Sequence, residues 1–237
     1  MNQEAIKKFI EIRGLLKRLS DEMCLVVESY YIWSTLTFAV SVPEVGQEKA
    51  ERNVRILSRY NDFFTATKHS HFQTFVLGVN KFFDKSSGSL SLDRLIREIS
   101  KYQYAFKPEV VRVALPELGQ RGFVPDDYKP IDQATTQTIQ KLKNEHKEIL
   151  SILEGIRHEQ VAHAAVQTVK RDIVPVRIEE FISAIQEMFN TLSGKFDLSS
   201  THWGHLQDAA IYTTAYLLDD LELGEKKRME ERGKIIR

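Results

Sequence analysis

From Ile12 onward the apolar positions fall at Ile12, Leu16, Leu19, Met23, Val26, Tyr30 and Trp33. Steps of four and three keep one stripe on one helical face, so the pattern predicts a long amphipathic helix. A second run begins near Glu48 and passes through Val54, Leu57, Tyr60, Phe64, Phe72, Phe75, Val79 and Phe82. It stops at the Ser86-Ser87-Gly88-Ser89 cluster, where serine and glycine favour turns. Pro43 and Gly46 mark a bend between the runs, which implies two long antiparallel helices. The many aromatic residues of the second helix, at helical spacing, read as core packing. A short helix is expected from about Ser91 to Tyr102.

Between Tyr102 and Gln133 the pattern changes. Pro108, Pro116, Pro125 and Pro130 fall here, and proline removes a backbone donor and forbids a continuous helix. The stretch reads as an irregular, proline-rich insertion at about 102–133, either a surface excursion packed by Val111, Val113 and Leu115 or a functional lid. Helical patterning returns from about Ile131 and carries Ile149, Ile152, Leu153 and Ile156. After Pro175 one face gathers Ile178, Phe181, Ile182, Ile185, Phe189 and Leu192, and a last one gathers Leu206, Ala210, Thr213, Leu217 and Leu221. The expectation is an all-α, single-domain helical bundle of five or six major helices over residues 1–222. Residues 223–237 form a charged C-terminal tail, expected to fray into solvent.

Composition narrows the function classes. The chain has 237 residues, and its 33 Lys plus Arg equal its 33 Asp plus Glu, so no global positive field announces a general nucleic-acid binder. Any contact with nucleic acid must be local. A lone Cys24 cannot form an intrachain disulfide, no apolar signal segment opens the chain, and no apolar stretch approaches the ~18 residues of a membrane span. A cytoplasmic protein with no membrane association is expected. Cofactor signatures are likewise missing: there is no Gly-x-Ser-x-Gly elbow, phosphate-binding loop or dinucleotide fingerprint, and no cofactor is expected.

Metal-ligand spacing also fails. His158 and His163 are five apart, rotated by roughly 140° on a regular helix, too far to share an ion. His202 and His205, three apart, are better placed, yet no acidic or cysteine partner is fixed near them, and a helix-start pair without metal is expected. None of the seven histidines has a glutamate three residues before it, which excludes a di-iron bundle. His69 and His71 read as surface and core-edge residues of the second helix.

What remains is Arg157-His158-Glu159-Gln160-Val161-Ala162-His163, an arginine, a polar neighbour and a histidine late in an all-helical chain. This segment resembles the HEPN signature. The earlier stretch Phe82-Phe83-Asp84-Lys85-Ser86-Ser87-Gly88-Ser89-Leu90-Ser91-Leu92-Asp93-Arg94-Leu95-Ile96 is similar to the AbiU-like abortive-infection branch of that superfamily. The resemblance covers roughly residues 5 to 220. It implies a metal-independent endoribonuclease acting as a toxin or antiviral effector, with RNA as substrate and Arg157, His163 and His158 as its catalytic residues. A homodimer and an antitoxin or other regulatory protein are the partners that fit this reading. The alternative is a non-catalytic helical interaction module that partners a nucleotidyltransferase or other regulator. In the branch silenced by tyrosine modification a tyrosine stands two residues after the histidine, and here that position is Ala165.

The chemistry of the pair stands beside the resemblance. RNA is cut without metal when a base takes the 2′-hydroxyl proton and a cation stabilises charge on the phosphate. Imidazole exchanges protons near pH ~6.5, and guanidinium grips phosphate oxygens bidentately. On an ideal helix residues six apart lie about 120° and ~9 Å from each other, so Arg157 and His163 converge only through arginine reach or a helix irregularity. Motif helices meeting across a twofold axis would gather two of each, with His158 orienting the phosphate or a neighbouring group. In the competing, purely structural reading Arg157 pairs with Glu154 and His163 with Glu159 along a charged face.

Overall fold

The computed structural model describes residues 3–86, 88–117, 124, 128–129, 131–162, 175–196 and 200–235. The first apolar stripe forms α1 (Gln3–Phe38), on which Ile12, Leu16, Leu19, Met23, Val26 and Tyr30 are all buried. A four-residue α2 (Val42–Val45) follows and ends at Gly46, whose φ of 81° is a conformation that side chains with a Cβ rarely adopt. Then come α3 (Gln47–Arg59), α4 (Asn61–Phe82), α5 (Leu92–Lys101), a 3₁₀ turn (Gln103–Phe106), α6 (Pro108–Glu117), α7 (Gln133–Glu145), α8 (Lys147–Ile156), a π-helical turn (Arg157–Ala162), α9 (Pro175–Phe196) and α10 (Gly204–Ile235). The protein is all-α, with no strand among the described residues. No helix among them is long and apolar enough to cross a membrane.

The helices gather into two compact units, Met1–Cys24 with Val76–His202, and Leu25–Phe75 with Trp203–Arg237. In the first, Phe9, Phe106 and Phe196 form an aromatic triangle with centroid separations of 5.9, 5.8 and 4.9 Å. Phe82 stacks on Phe189 at 5.2 Å, and next to it Phe83 meets Phe181 at 5.7 Å. Tyr128 is buried here and donates to the carbonyl of Lys195; burial pushes its pKa up to about 12.

In the second unit, Tyr30 meets Phe75 and Trp33 meets Phe72, an order of pairing that makes α1 and α4 antiparallel there. Leu36, Ala39, Ile56, Phe64 and Leu218 form a further cluster. His71 sits half-buried with its Nδ1 3.3 Å from the hydroxyl of buried Ser29, and His69 is exposed.

Three local expectations change. The helix expected to run unbroken from Glu48 to Phe82 is divided at Tyr60, which leaves the helical well (φ −110°, ψ 36°) and whose hydroxyl accepts from Arg228. On α3 the inward face holds Ala50, Asn53 and Ile56, while Val54 is exposed. Asn53 turns that face inward by donating to the carbonyl of Ala39 at 2.7 Å. The proline-rich segment also carries a helix: Pro108 occupies the first position of α6, where no amide donor is needed, and Pro116 lies in its last turn. Val110, Val111, Ala114 and Leu115 bury its inner face. At the far end α10 continues through Ile235, past the boundary expected at residue 222, and Glu225 pairs with Arg59 at 2.8 Å.

Candidate active-site cleft

Four segments of the first unit supply one cleft of about 690 Å³. On α8, Ile149, Leu153 and Ile156 point into the core, which leaves Lys147, Leu150, Ser151 and Glu154 on the cleft side. On α5, Leu92, Leu95 and Ile99 are buried, and Asp93, Ile96 and Arg97 face the cleft. The same spacing on α7 presents Gln140, Lys143 and Asn144. The end of α4 and the loop after it add Asn80, Phe83, Asp84 and Lys85.

Arg157 opens the π-helical turn at the end of α8 and lines this cleft. A π turn inserts an extra residue into the helical ladder and re-aims the side chains that follow, the kind of irregularity that functional sites often carry. The Arg157 side chain is exposed, and among the described residues no ion pair or hydrogen bond holds its guanidinium; in particular it forms no bridge with Glu154. His158 is exposed on the same turn and does not line the cleft. His163 and Ala165 lie outside the described residues.

The loop after α4 is held by its own polar groups. Asp84 accepts from the amide and the hydroxyl of Ser86, each at 2.9 Å, and Ser91 caps α5 by accepting from the amide of Arg94. Those two bonds from Ser86 hold the Asp84 carboxyl below its ordinary pKa, and the nearby Arg157 cation adds to the effect. Lys143 is fixed twice, by both oxygens of Asp93 at 2.7 and 2.8 Å and by the ring of Phe83, 5.7 Å from its Nζ.

The electrostatic balance of the cleft differs from that of the chain. Lys85, Arg97, Lys143, Lys147 and Arg157 face Asp84, Asp93 and Glu154, five cations against three carboxylates, in a protein whose formal net charge is zero. The local positive field that composition could not show is here. Among the described residues no three His, Cys, Asp or Glu side chains are grouped to hold an ion, and His202 and His205 each interact with other groups of the chain.

Sequence reasoning located Arg157 and the segment around Asp84 and Asp93, which the fold brings to one cleft. It missed Asn80, Arg97, Lys143 and Lys147, whose membership depends on how α4, α5, α7 and α8 pack. The helical spacing of Asp93 with Arg97, and of Gln140 with Lys143 and Asn144, was the available signal.

No curated protein and no solved structure matches the chain. The family model described as AbiU2, a HEPN family, matches residues 7–213. That span contains most of α1, all of α2 to α9, the four cleft-forming segments and Arg157 to His163. The chain belongs to the AbiU2 family of HEPN proteins.

Proposed function

We propose that this protein is a metal-independent endoribonuclease of an abortive-infection or toxin system. Arg157 holds the phosphoryl oxygens of the scissile phosphate, His163 takes the proton from the RNA 2′-hydroxyl, and His158 orients the substrate from the edge of the site. The observation that carries this reading is the Arg157 guanidinium itself: exposed, in no ion pair with a carboxylate among the described residues, and set in a cleft with an excess of cations. A structural arginine of a charged helical face would be expected to spend its charge on Glu154. A guanidinium left open suits bidentate binding of phosphate.

Internal attack by the 2′-hydroxyl on phosphorus displaces the 5′-oxygen of the next nucleotide. The attacking oxygen loses its proton to the base, and the leaving oxygen gains one from an acid. The products are a 2′,3′-cyclic phosphate and a 5′-hydroxyl, and the step consumes no metal-generated hydroxide. A homodimer formed through the segment that bears Arg157 and His163 would double these groups in one composite site. An antitoxin or regulatory protein that covers the cleft would silence it.

Expression in a bacterial host tests the reading in the cell. Growth arrest by the wild-type protein that is relieved by His163→Ala and by Arg157→Ala supports it. Arrest that persists in both variants would assign toxicity to another property, and the absence of arrest and of RNA cleavage would favour the non-catalytic interaction module.

A further inference from the structure

Arg157 is not the sole cation of the cleft without an ion pair among the described residues. Arg97 follows Asp93 by four residues on α5 and shares its face, and Lys147 follows Lys143 by four residues across the break at His146. Asp93 is already spent, since both of its oxygens lie within 2.8 Å of Lys143 Nζ. Among the described residues no carboxylate lies within ion-pair distance of Arg97 or Lys147, and both side chains are exposed. Two cations without an ion pair among the described residues thus share the cleft with a neutralised Lys143–Asp93 pair. Buried Phe83 and half-buried Ile96 and Leu150 supply apolar surface in the same cleft.

We propose that Arg97 and Lys147 form a second phosphate subsite, which holds the phosphate of a neighbouring nucleotide when a single RNA strand lies in the cleft with its reacting phosphate at Arg157. The identity of the reacting phosphate rests on the endoribonuclease reading; the binding of a phosphodiester strand rests on the cleft alone. A volume of about 690 Å³ is within the range of clefts that enclose small ligands, and it suits a nucleotide or two of a splayed single strand. The apolar residues offer contact to a base face while the cations track the backbone, the division of labour used by single-strand binders. Neither Arg97 nor Lys147 touches the reacting atoms in this arrangement. They position the strand, and their loss weakens binding of substrate and transition state alike.

Fluorescence anisotropy with a labelled 2′-O-methyl RNA of about twelve nucleotides, which binds but cannot be cut, tests the subsite directly. The double variant Arg97→Ala/Lys147→Ala should lose about tenfold or more in affinity, and the dependence of log affinity on log salt should flatten by about 0.7, as for one phosphate contact on a single strand. Arg97→Lys and Lys147→Arg should retain most of the binding, and Lys17→Ala, remote in the sequence from every cleft segment, should leave it unchanged. In turnover of native RNA the double variant should raise KM with little change in kcat, where Arg157→Ala lowers kcat. Unchanged affinity in the double variant, or failure of the wild-type protein to bind the strand, would overturn the subsite. Binding that depends on Arg97 and Lys147 without cleavage of native RNA would sustain the subsite and remove the endoribonuclease reading.

Discussion

The side-chain amide of Asn80 donates a 3.1 Å hydrogen bond to the carbonyl of Leu153, 73 residues further along the chain. The same carbonyl accepts from the backbone N–H of Arg157, and Asn80 also donates to Val76 at 2.7 Å. One residue of α4 therefore steadies the turn from which the Arg157 guanidinium enters the cleft. Asn80→Ala should cost about 0.5–1.5 kcal/mol of stability, because the Leu153 carbonyl keeps its helical partner. Asn80→Asp should cost more, since it sets a carboxylate against two carbonyl oxygens. Urea denaturation measures both, and equal stabilities for wild type and Asn80→Asp would contradict this role.

Asp93 trades stability against cleft charge. Its bridge to Lys143 is largely shielded, with side-chain exposures of 19% and 12%, so Asp93→Asn should destabilise the protein by about 1–3 kcal/mol. The same change releases the Lys143 cation and should tighten binding of single-stranded RNA at low salt. Weaker RNA binding by a variant that remains folded would mean that the bridge itself, not the released cation, serves the strand.

Arg157→Ala should leave stability within about ±0.5 kcal/mol, as expected for an exposed side chain with no ion pair or hydrogen bond among the described residues. RNA cleavage should fall by about 10²-fold or more. Arg157→Lys should recover little of that loss, because an ammonium group cannot grip two phosphoryl oxygens from a fixed fork. Thermal unfolding and initial rates separate the effects, and a large loss of stability would return Arg157 to a structural role.

His71 gives the fold a pH dependence of known sign. Burial lowers its pKa from 6.5, so the unfolded chain takes up a proton before the folded one does. Stability present above pH 6.5 is then lost as pH falls through the lowered folded value. His71→Gln, which retains a polar contact for Ser29, should lose less stability between pH 7.5 and pH 5 than wild type. Identical pH profiles from urea midpoints would show that His71 does not contribute.

Much of the fold was legible because burial leaves a periodic trace. Ile12 to Tyr30 on α1, and Ile178 to Leu192 on α9, are spaced as a buried helical face requires, and both faces are buried. The divisions at Tyr60 and His146 were not legible, since neither residue is a glycine or proline and the stripe continues through each. Val54 shows the limit of apolar periodicity: an asparagine one position earlier faces inward because it finds the Ala39 carbonyl, and the valine is turned to solvent. In α6 the prolines hid a helix that tolerates them at its two ends.

The candidate site divides in the same way. Arg157 could be named from its neighbours in the chain, and the resemblance also drew attention to the stretch holding Asp84 and Asp93. That these lie in one cleft, joined by Asn80, Arg97, Lys143 and Lys147, is a product of packing between segments up to 73 residues apart, and no local pattern encodes it.

The central claim, that Arg157 serves RNA cleavage by internal 2′-hydroxyl attack, is tested most directly by the ends of the product. Purified wild-type protein incubated with total RNA in excess EDTA should release fragments ending in 2′,3′-cyclic phosphate, resistant to phosphatase until the ring is opened by acid, and should spare DNA. Arg157→Ala and His163→Ala should each reduce that release by about 10²-fold or more. Fragments with 3′-hydroxyl ends, cleavage abolished by the chelator, or full activity in Arg157→Ala would contradict it.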